Sequence, residues 1–171
     1  SSLLMSKASS LYRCLSKTIF SASTLIKILN DEICETTTRG MFVTMIVGVY
    51  DKNKNELLLS NAGHEPPLIF SKDGNFKTID EAGPPLGIAP NFKFTEQTIS
   101  FKESSMYIFT DGITEMKNNN GEMLGQEGFQ DYIKKYQSTP NNKRLQKMIE
   151  DLIGSGRIQK DDLTIVTVDG K

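Results

Sequence analysis

The chain has 171 residues, of which 37% are hydrophobic and 24% are charged, and its formal net charge is −1. This balance is typical of one globular domain with its own core, and it lacks the basic excess that favours nucleic acids or anionic membranes. No apolar run approaches the ~18 residues of a membrane-spanning helix, so the expected location is the cytoplasm. Cys14 and Cys34 lack the paired spacing of a zinc or redox site, and both are interpreted as buried thiols.

The first part of the chain predicts two helices. Apolar residues recur at three- and four-residue spacing from Leu4 to Ile19, and a second helix is predicted for 23–34 with Ser21 or Ser23 as its N-cap. Because the first pattern starts almost at the first residue, we expect the natural domain to extend further towards the N-terminus.

The middle of the chain predicts consecutive strands. Residues 41–50 are nearly continuously apolar, which is typical of a central strand covered on both faces, and residues 56–62 return as the second strand of a hairpin. Further strands are predicted at 68–70 and 76–79, on either side of the turn at Asp73-Gly74, and a strand of mixed polarity is predicted at 94–101.

A strand at 105–109 ends in Asp111-Gly112, a pair that favours a tight turn. Helices are then predicted at 127–136 and 139–154, with Thr139 as N-cap, and a final strand at 163–168 directly follows Asp161 and Asp162. Hairpin-ordered strands with helices before and after them predict an α+β fold with mostly antiparallel sheets; a doubly wound parallel sheet would need a helix between most strands.

Two acidic strand ends could meet if their strands are neighbours in a sheet. Clustered Asp oxygens suit Mg²⁺ or Mn²⁺, and a pair of such ions can activate a water for in-line attack on phosphorus. A plain alternative stays open, because Asp-Gly also occurs at 73–74 and 169–170, and Asp161 and Asp162 could simply solvate the entry to a strand.

His64 is the only histidine in the sequence, which excludes a histidine-rich zinc site. A single His after Ala-Gly is more often a packed side chain than a general acid. Walker, GxSxG and GxGxxG motifs do not occur, so nucleotide-binding and serine-hydrolase functions lack sequence support.

One set of segments follows a fixed order along nearly the whole chain: the opening amphipathic helix and then residues 42–45, 60–67, 83–88, 107–115 and 161–164. Taken together and in this order, they resemble bacterial type-2C (PPM) protein phosphatases of the SpoIIE and RsbU kind. It implies a four-layer α-β-β-α sandwich of mostly antiparallel sheets flanked by helices and a metal-dependent serine/threonine phosphoprotein phosphatase.

The resemblance also implies roles for individual residues. Asp111 and Asp161 correspond to ligands of a binuclear Mn²⁺ or Mg²⁺ centre, whose bridging water attacks the phosphoryl group. Gly112 would let the backbone turn so that Asp111 faces the metals, whereas Asp162 and His64 are carried only as neighbours of the site.

The family carries further acidic ligands upstream of the helix that opens this chain. We therefore interpret residues 1–171 as a single SpoIIE-like phosphatase domain that lacks its N-terminal strands and belongs to a longer regulatory protein. With few carboxylates, this chain is expected to bind Mn²⁺ or Mg²⁺ weakly and to turn over little. Strand edges exposed in this way would also favour a homodimer.

Two main functions remain open from the sequence. The parent protein is either an active phosphatase or a pseudo-phosphatase that binds a partner without catalysis. The active phosphatase would act on a phosphorylated anti-anti-sigma (STAS-type) protein under the control of an upstream sensor domain or a membrane-linked module, which could anchor the parent protein to a membrane. A structural domain with accidental acidic strand ends would leave the order of the motifs unexplained.

Overall fold

The computed structural model describes residues 2–37, 40–80 and 82–170. The chain forms two compact units, one made of Ser1–Pro66 and Ile79–Lys102 and the other of Pro67–Thr78 and Glu103–Lys171. We call them unit 1 and unit 2. The chain leaves unit 1 after Pro66, contributes a hairpin to unit 2 and returns at Ile79, so neither unit is one continuous segment.

Unit 1 contains two helices and a three-stranded antiparallel sheet in the order β1-β2-β5. Its elements are α1 (Ser2–Leu15), α2 (Ala22–Thr36), β1 (Met45–Asp51), β2 (Glu56–Ala62) and β5 (Gln97–Ser100). The predicted hairpin is confirmed, with β1 and β2 in register from Met45 opposite Ala62 to Asp51 opposite Glu56.

The second helix supplies most of the unit 1 core. Its N-cap is Ser21, whose hydroxyl accepts a hydrogen bond from the Thr24 N–H at 3.2 Å, as one of the two predicted caps. The apolar face of α2 is fully buried against β1, β2 and α1. That face consists of Leu25, Ile26, Leu29 and Ile33.

Unit 2 contains a four-stranded antiparallel sheet in the order β4-β3-β6-β7 and three helices. Its elements are β3 (Leu68–Ser71), β4 (Phe76–Thr78), β6 (Ser104–Phe109), α3 (Asp111–Thr114), α4 (Gly125–Tyr136), α5 (Asn141–Gly154) and β7 (Ile165–Asp169). Phe129 of α4 packs against Tyr107 and Phe109 of β6, with ring centroids 6.5 Å and 4.8 Å apart. The predicted α+β class with antiparallel sheets flanked by helices is confirmed.

Four local predictions were wrong. The strand in 41–50 is not central and doubly covered, because β1 is an edge strand of its sheet with alternating exposure. Pro140, not Thr139, is the N-cap of α5, and it forms no side-chain cap bond. The last strand begins at Ile165 rather than at residue 163. Cys14 is exposed, because it lies on the polar side of α1.

Candidate metal centre

The first acidic segment follows β6. Thr110 has extended backbone angles and precedes α3, and Asp111 is the first residue of that one-turn helix, with its side chain exposed. Sequence reasoning expected a tight turn that needs glycine at positive φ. Gly112 is helical instead, and it is absent from the positive-φ residues of the described chain.

The reason for glycine at this position is space rather than backbone angle. A Cβ atom on Gly112 would lie 2.4 Å from the carbonyl oxygen of Asp162 and 3.4 Å from the carbonyl carbon of Asp161. Real Cβ atoms essentially never approach backbone so closely. The second acidic segment therefore packs directly on the first, at a distance that only glycine permits.

This second segment, residues 161–164, is irregular backbone that leads into β7. The Asp162 N–H donates to Oδ1 of Asp161 at 2.7 Å, and Nε2 of Gln159 donates to the Asp161 carbonyl at 2.9 Å. Asp161 and Asp162 are both exposed. The two acidic segments are brought together because β6 and β7 are neighbours, paired from Ser105 opposite Asp169 to Phe109 opposite Ile165.

The three Asp-Gly pairs of the chain differ in the hydrogen bonds that their Asp carboxylates form. The Asp73 carboxylate accepts from the N–H and the Nδ2 of Asn75, so it shapes the β3–β4 turn. Asp169 pairs with Arg144 and accepts from the Ser105 hydroxyl. Within the described residues, no hydrogen bond or ion pair engages the Asp111 carboxylate. The plain-turn interpretation therefore holds for Asp73, whereas Asp111 is left available to a ligand.

The donor atoms of this region are of the type that a hard divalent cation prefers. Asp111 and Asp161 are exposed carboxylates on segments in backbone contact, and oxygen-only donors are those that Mg²⁺ and Mn²⁺ prefer. The donors are few, however. Across residues 2–37, 40–80 and 82–170, no three His, Cys, Asp or Glu side chains converge into a group that could hold an ion.

His64 lies in unit 1, after β2. Its Nδ1 is 3.1 Å from the Thr44 hydroxyl, and its backbone N–H and carbonyl are both bonded to the Asn61 side chain, at 2.9 Å each. These contacts favour the packed interpretation of His64, and its predicted place beside the acidic segments stays a prediction.

The sequence analysis did not single out two polar residues, Asn61 and Thr110, whose side chains make contacts in this region and at His64. Asn61 is 0% exposed, and the only sequence signal was an amide within an apolar strand. The Thr110 hydroxyl donates to the Asp162 carbonyl and accepts from the Thr164 N–H, at 3.1 Å each. No sequence pattern distinguishes that threonine from an ordinary strand residue.

Comparison with known sequences assigns the chain to a family. The family described as Stage II sporulation protein E (SpoIIE) matches residues 1–171. Protein IcfG from Synechocystis is 31% identical over 147 residues, covering 84% of this chain and 23% of IcfG. Phosphoserine phosphatase RsbU from Bacillus subtilis is 26% identical over 149 residues, covering 85% of this chain and 44% of RsbU. The chain thus spans less than half the length of each relative.

Solved structures share the fold. The RsbU and RsbW domains of Rv1364c from Mycobacterium tuberculosis match with a TM-score of 0.82 and 20% identity, over 99% of this chain and 47% of that one. The catalytic domain of the serine threonine phosphatase PstP, solved with two manganese ions, matches with a TM-score of 0.70 and 13% identity, over 99% and 81%. Together with the match along its whole length, these results show that the chain belongs to the SpoIIE family, the bacterial PP2C-type phosphatases to which RsbU is related.

Proposed function

We propose that residues 1–171 form a single SpoIIE-like domain of a metal-dependent serine/threonine phosphoprotein phosphatase. The observation that carries this proposal is the contact of Gly112 with the Asp161–Asp162 backbone, which holds two segments with exposed carboxylates together in a chain of this family. The name of RsbU, a phosphoserine phosphatase, supports phosphoserine as the target.

In the proposed mechanism, Asp111 and Asp161 would hold Mn²⁺ or Mg²⁺, and the chemistry that such an ion would supply is activation of a water for attack on phosphorus. Gly112 leaves room for the second segment, and the bond from the Asp162 N–H to Oδ1 of Asp161 limits the orientations of that carboxylate. Asp162 is therefore proposed as a neighbour of the ligands rather than as a ligand itself.

Two carboxylates coordinate a cation only partly. We therefore propose that the 171-residue chain alone binds Mn²⁺ weakly and turns over little substrate. Isothermal titration calorimetry would test this, and tight binding of two Mn²⁺ ions per chain would contradict it.

The proposal includes partners and location. A phosphorylated anti-anti-sigma (STAS-type) protein in a sigma-factor pathway is the proposed substrate, an upstream sensor domain the proposed regulator, and the cytoplasm the proposed compartment. The likeness to RsbU, a phosphoserine phosphatase, supports a phosphorylated protein as the substrate. In the described part of the chain, no helix is long and apolar enough to cross a membrane. Homodimerisation through strand edges such as that of β7 is also proposed, and sedimentation would test it.

The central experiment measures Mn²⁺-dependent hydrolysis of an aryl phosphate by the full natural protein and by its Asp111→Asn and Asp161→Asn variants. We expect each variant to lose activity by on the order of a hundredfold, because each removes charge from the cation site. Asp73→Asn is the matched control, since Asp73 also precedes glycine but only shapes a turn.

Both site variants should keep the stability of the parent protein to within about 0.5 kcal/mol, because their carboxylates are exposed. A folded parent protein without any metal-dependent turnover would overturn the proposal. The pseudo-phosphatase that binds a partner without catalysis would then be the better interpretation.

A further inference from the structure

The Thr110 hydroxyl joins the two acidic segments. The Thr110 N–H donates to the Thr164 carbonyl at 3.1 Å, which extends the β6–β7 pairing by one residue pair. The Thr164 N–H, however, donates to the Thr110 hydroxyl at 3.1 Å and not to the Thr110 carbonyl. The same hydroxyl donates to the Asp162 carbonyl at 3.1 Å.

In a regular antiparallel pair, the Thr164 N–H would bond to the backbone carbonyl of Thr110. That carbonyl instead accepts from the Ile113 N–H at 3.1 Å, at the start of α3. The Thr110 hydroxyl thus takes the place of the Thr110 carbonyl as the acceptor of the Thr164 N–H. The chain can turn into the helix that carries Asp111 while its pairing with the second acidic segment is kept.

Threonine before a helix usually caps that helix with its hydroxyl. Thr110 precedes α3 but forms no side-chain cap bond. Both bonds of its hydroxyl go to the segment that carries Asp161 and Asp162. This choice of partners indicates that the side chain serves the contact between the segments rather than the end of the helix.

We propose that Thr110 is a positioning residue that fixes Asp111 relative to Asp161 for cation binding. This inference rests on the proposed function, since it assigns a role at the same site. The β6–β7 pairing sets the register of the two segments, and the Thr110 hydroxyl adds a bond to each side of residue 163. Without that hydroxyl, the Thr110 N–H would still bond to the Thr164 carbonyl, but the Asp162 carbonyl and the Thr164 N–H would lose this partner, so residues 161–163 would be held less firmly against α3.

The test compares Thr110→Val, which keeps the shape and removes the hydroxyl, with Thr110→Ser, which keeps the hydroxyl. In the full natural protein, we expect Mn²⁺ affinity, measured by titration calorimetry, to fall by roughly tenfold in the Val variant, as is typical for groups that orient ligands. The Ser variant should restore affinity to within about threefold of the parent value.

Two controls separate positioning from stability. Thr167→Val makes the same chemical change on β7, where the hydroxyl has no hydrogen-bond partner among the described residues. Ser60→Ala removes a buried hydroxyl that donates to the Thr95 carbonyl at 2.7 Å, in unit 1. Both controls should bind Mn²⁺ like the parent protein, although Ser60→Ala lowers the melting temperature.

A second readout needs no metal. Amide hydrogen exchange at Thr164 should be at least about tenfold faster in the metal-free Thr110→Val variant than in the parent, because its acceptor is gone. Unchanged Mn²⁺ affinity in Thr110→Val would overturn the inference and leave the proposed function standing. A parent protein that binds no Mn²⁺ would overturn both, even if the exchange data showed the two segments joined.

Discussion

Two sets of polar side chains, the buried amides of unit 1 and the exposed carboxylates of the acidic segments in unit 2, differ in what they contact. In unit 1, Asn30 and Asn61 are completely buried, and each bonds to loop backbone: Asn30 to Gly87 and Ala89, and Asn61 to both backbone groups of His64. Buried amides with these partners fix loops in place. Their contribution is to the fold.

In unit 2, the three aspartates of the two acidic segments are exposed. Asp111, Asp161 and Asp162 lie at the surface, and within the described residues none of them forms an ion pair. Exposed acidic groups at neighbouring strand ends add little to stability. The comparison indicates that the buried amides of unit 1 fix loops of the fold, whereas the exposed carboxylates of unit 2 are available for the proposed cation site.

The largest loss of stability is expected from a substitution at Gly112, which packs against the second acidic segment. Gly112→Ala forces a Cβ against the Asp162 carbonyl, which is backbone and cannot move aside cheaply. We expect a loss of about 3 kcal/mol in the free energy of unfolding, together with loss of Mn²⁺ binding. Chemical denaturation and calorimetry would measure both quantities.

Gly154→Ala is the matched control, because nothing lies within 4 Å of the Cβ that it would add. Its stability should stay within about 0.5 kcal/mol of the parent value. Equal behaviour of the two variants would show that the acidic segments are not held in the contact described above.

A smaller effect is expected from Asn61→Ala in unit 1. This change leaves the N–H and the carbonyl of His64 without their partner, in a region where the Asn61 side chain is buried. The free energy of unfolding should fall by about 2 kcal/mol. The exposed Asn119→Ala serves as the control.

Asn61→Ala also tests whether Asn61 contributes to stability alone or to metal binding as well. If Asn61 serves only the fold, the folded fraction of Asn61→Ala should retain the metal affinity of the parent protein at a temperature well below its transition. Loss of affinity in fully folded Asn61→Ala would mean that unit 1 takes a direct part in the site.

The smallest effect is expected at Glu96, which accepts from the Ser23 N–H at 2.9 Å and the Ser21 hydroxyl at 3.1 Å at the start of α2. The Ser23 N–H is the main cause of a lowered pKa for the Glu96 carboxyl. Glu96→Gln should reduce stability at neutral pH by about 1 kcal/mol, as for loss of a helix cap.

The pH dependence has a definite sign. Because the pKa of Glu96 is lower in the folded state, its contribution is complete above the ordinary value of 4.5 and is lost as the pH falls through the folded-state pKa. The difference between parent and Glu96→Gln should therefore vanish in acid. A difference that grew below pH 4.5 would contradict this account.

Local signals in the sequence predicted much of this molecule. The hairpin of β1 and β2 and the Ser21 cap depend on residues close together in the chain, and both were correct. The contact between the two acidic segments was one of the possibilities that the sequence left open, because it requires only that two strands be neighbours.

Two features that the sequence did not predict depend on residues far away in the chain. The exposure of β1 depends on its place in the sheet, which is set by the pairing of β2 with β5, about forty residues away. Likewise, the Thr110 hydroxyl next to Asp111 bonds to Thr164, a partner 54 residues along the chain. Composition and spacing near these residues contain no information on such distant partners.

The excursion of residues 67–78 into unit 2 has a consequence for folding order. Both sheets combine strands from distant parts of the chain: β5 completes the sheet of β1 and β2, whereas β3 lies between β4 and β6. A nascent chain that has not yet passed residue 109 cannot complete the pairing of β3 with β6, and β7 arrives last of all. Since contacts of large sequence separation form slowly, the acidic segments should be among the last parts of the protein to become ordered.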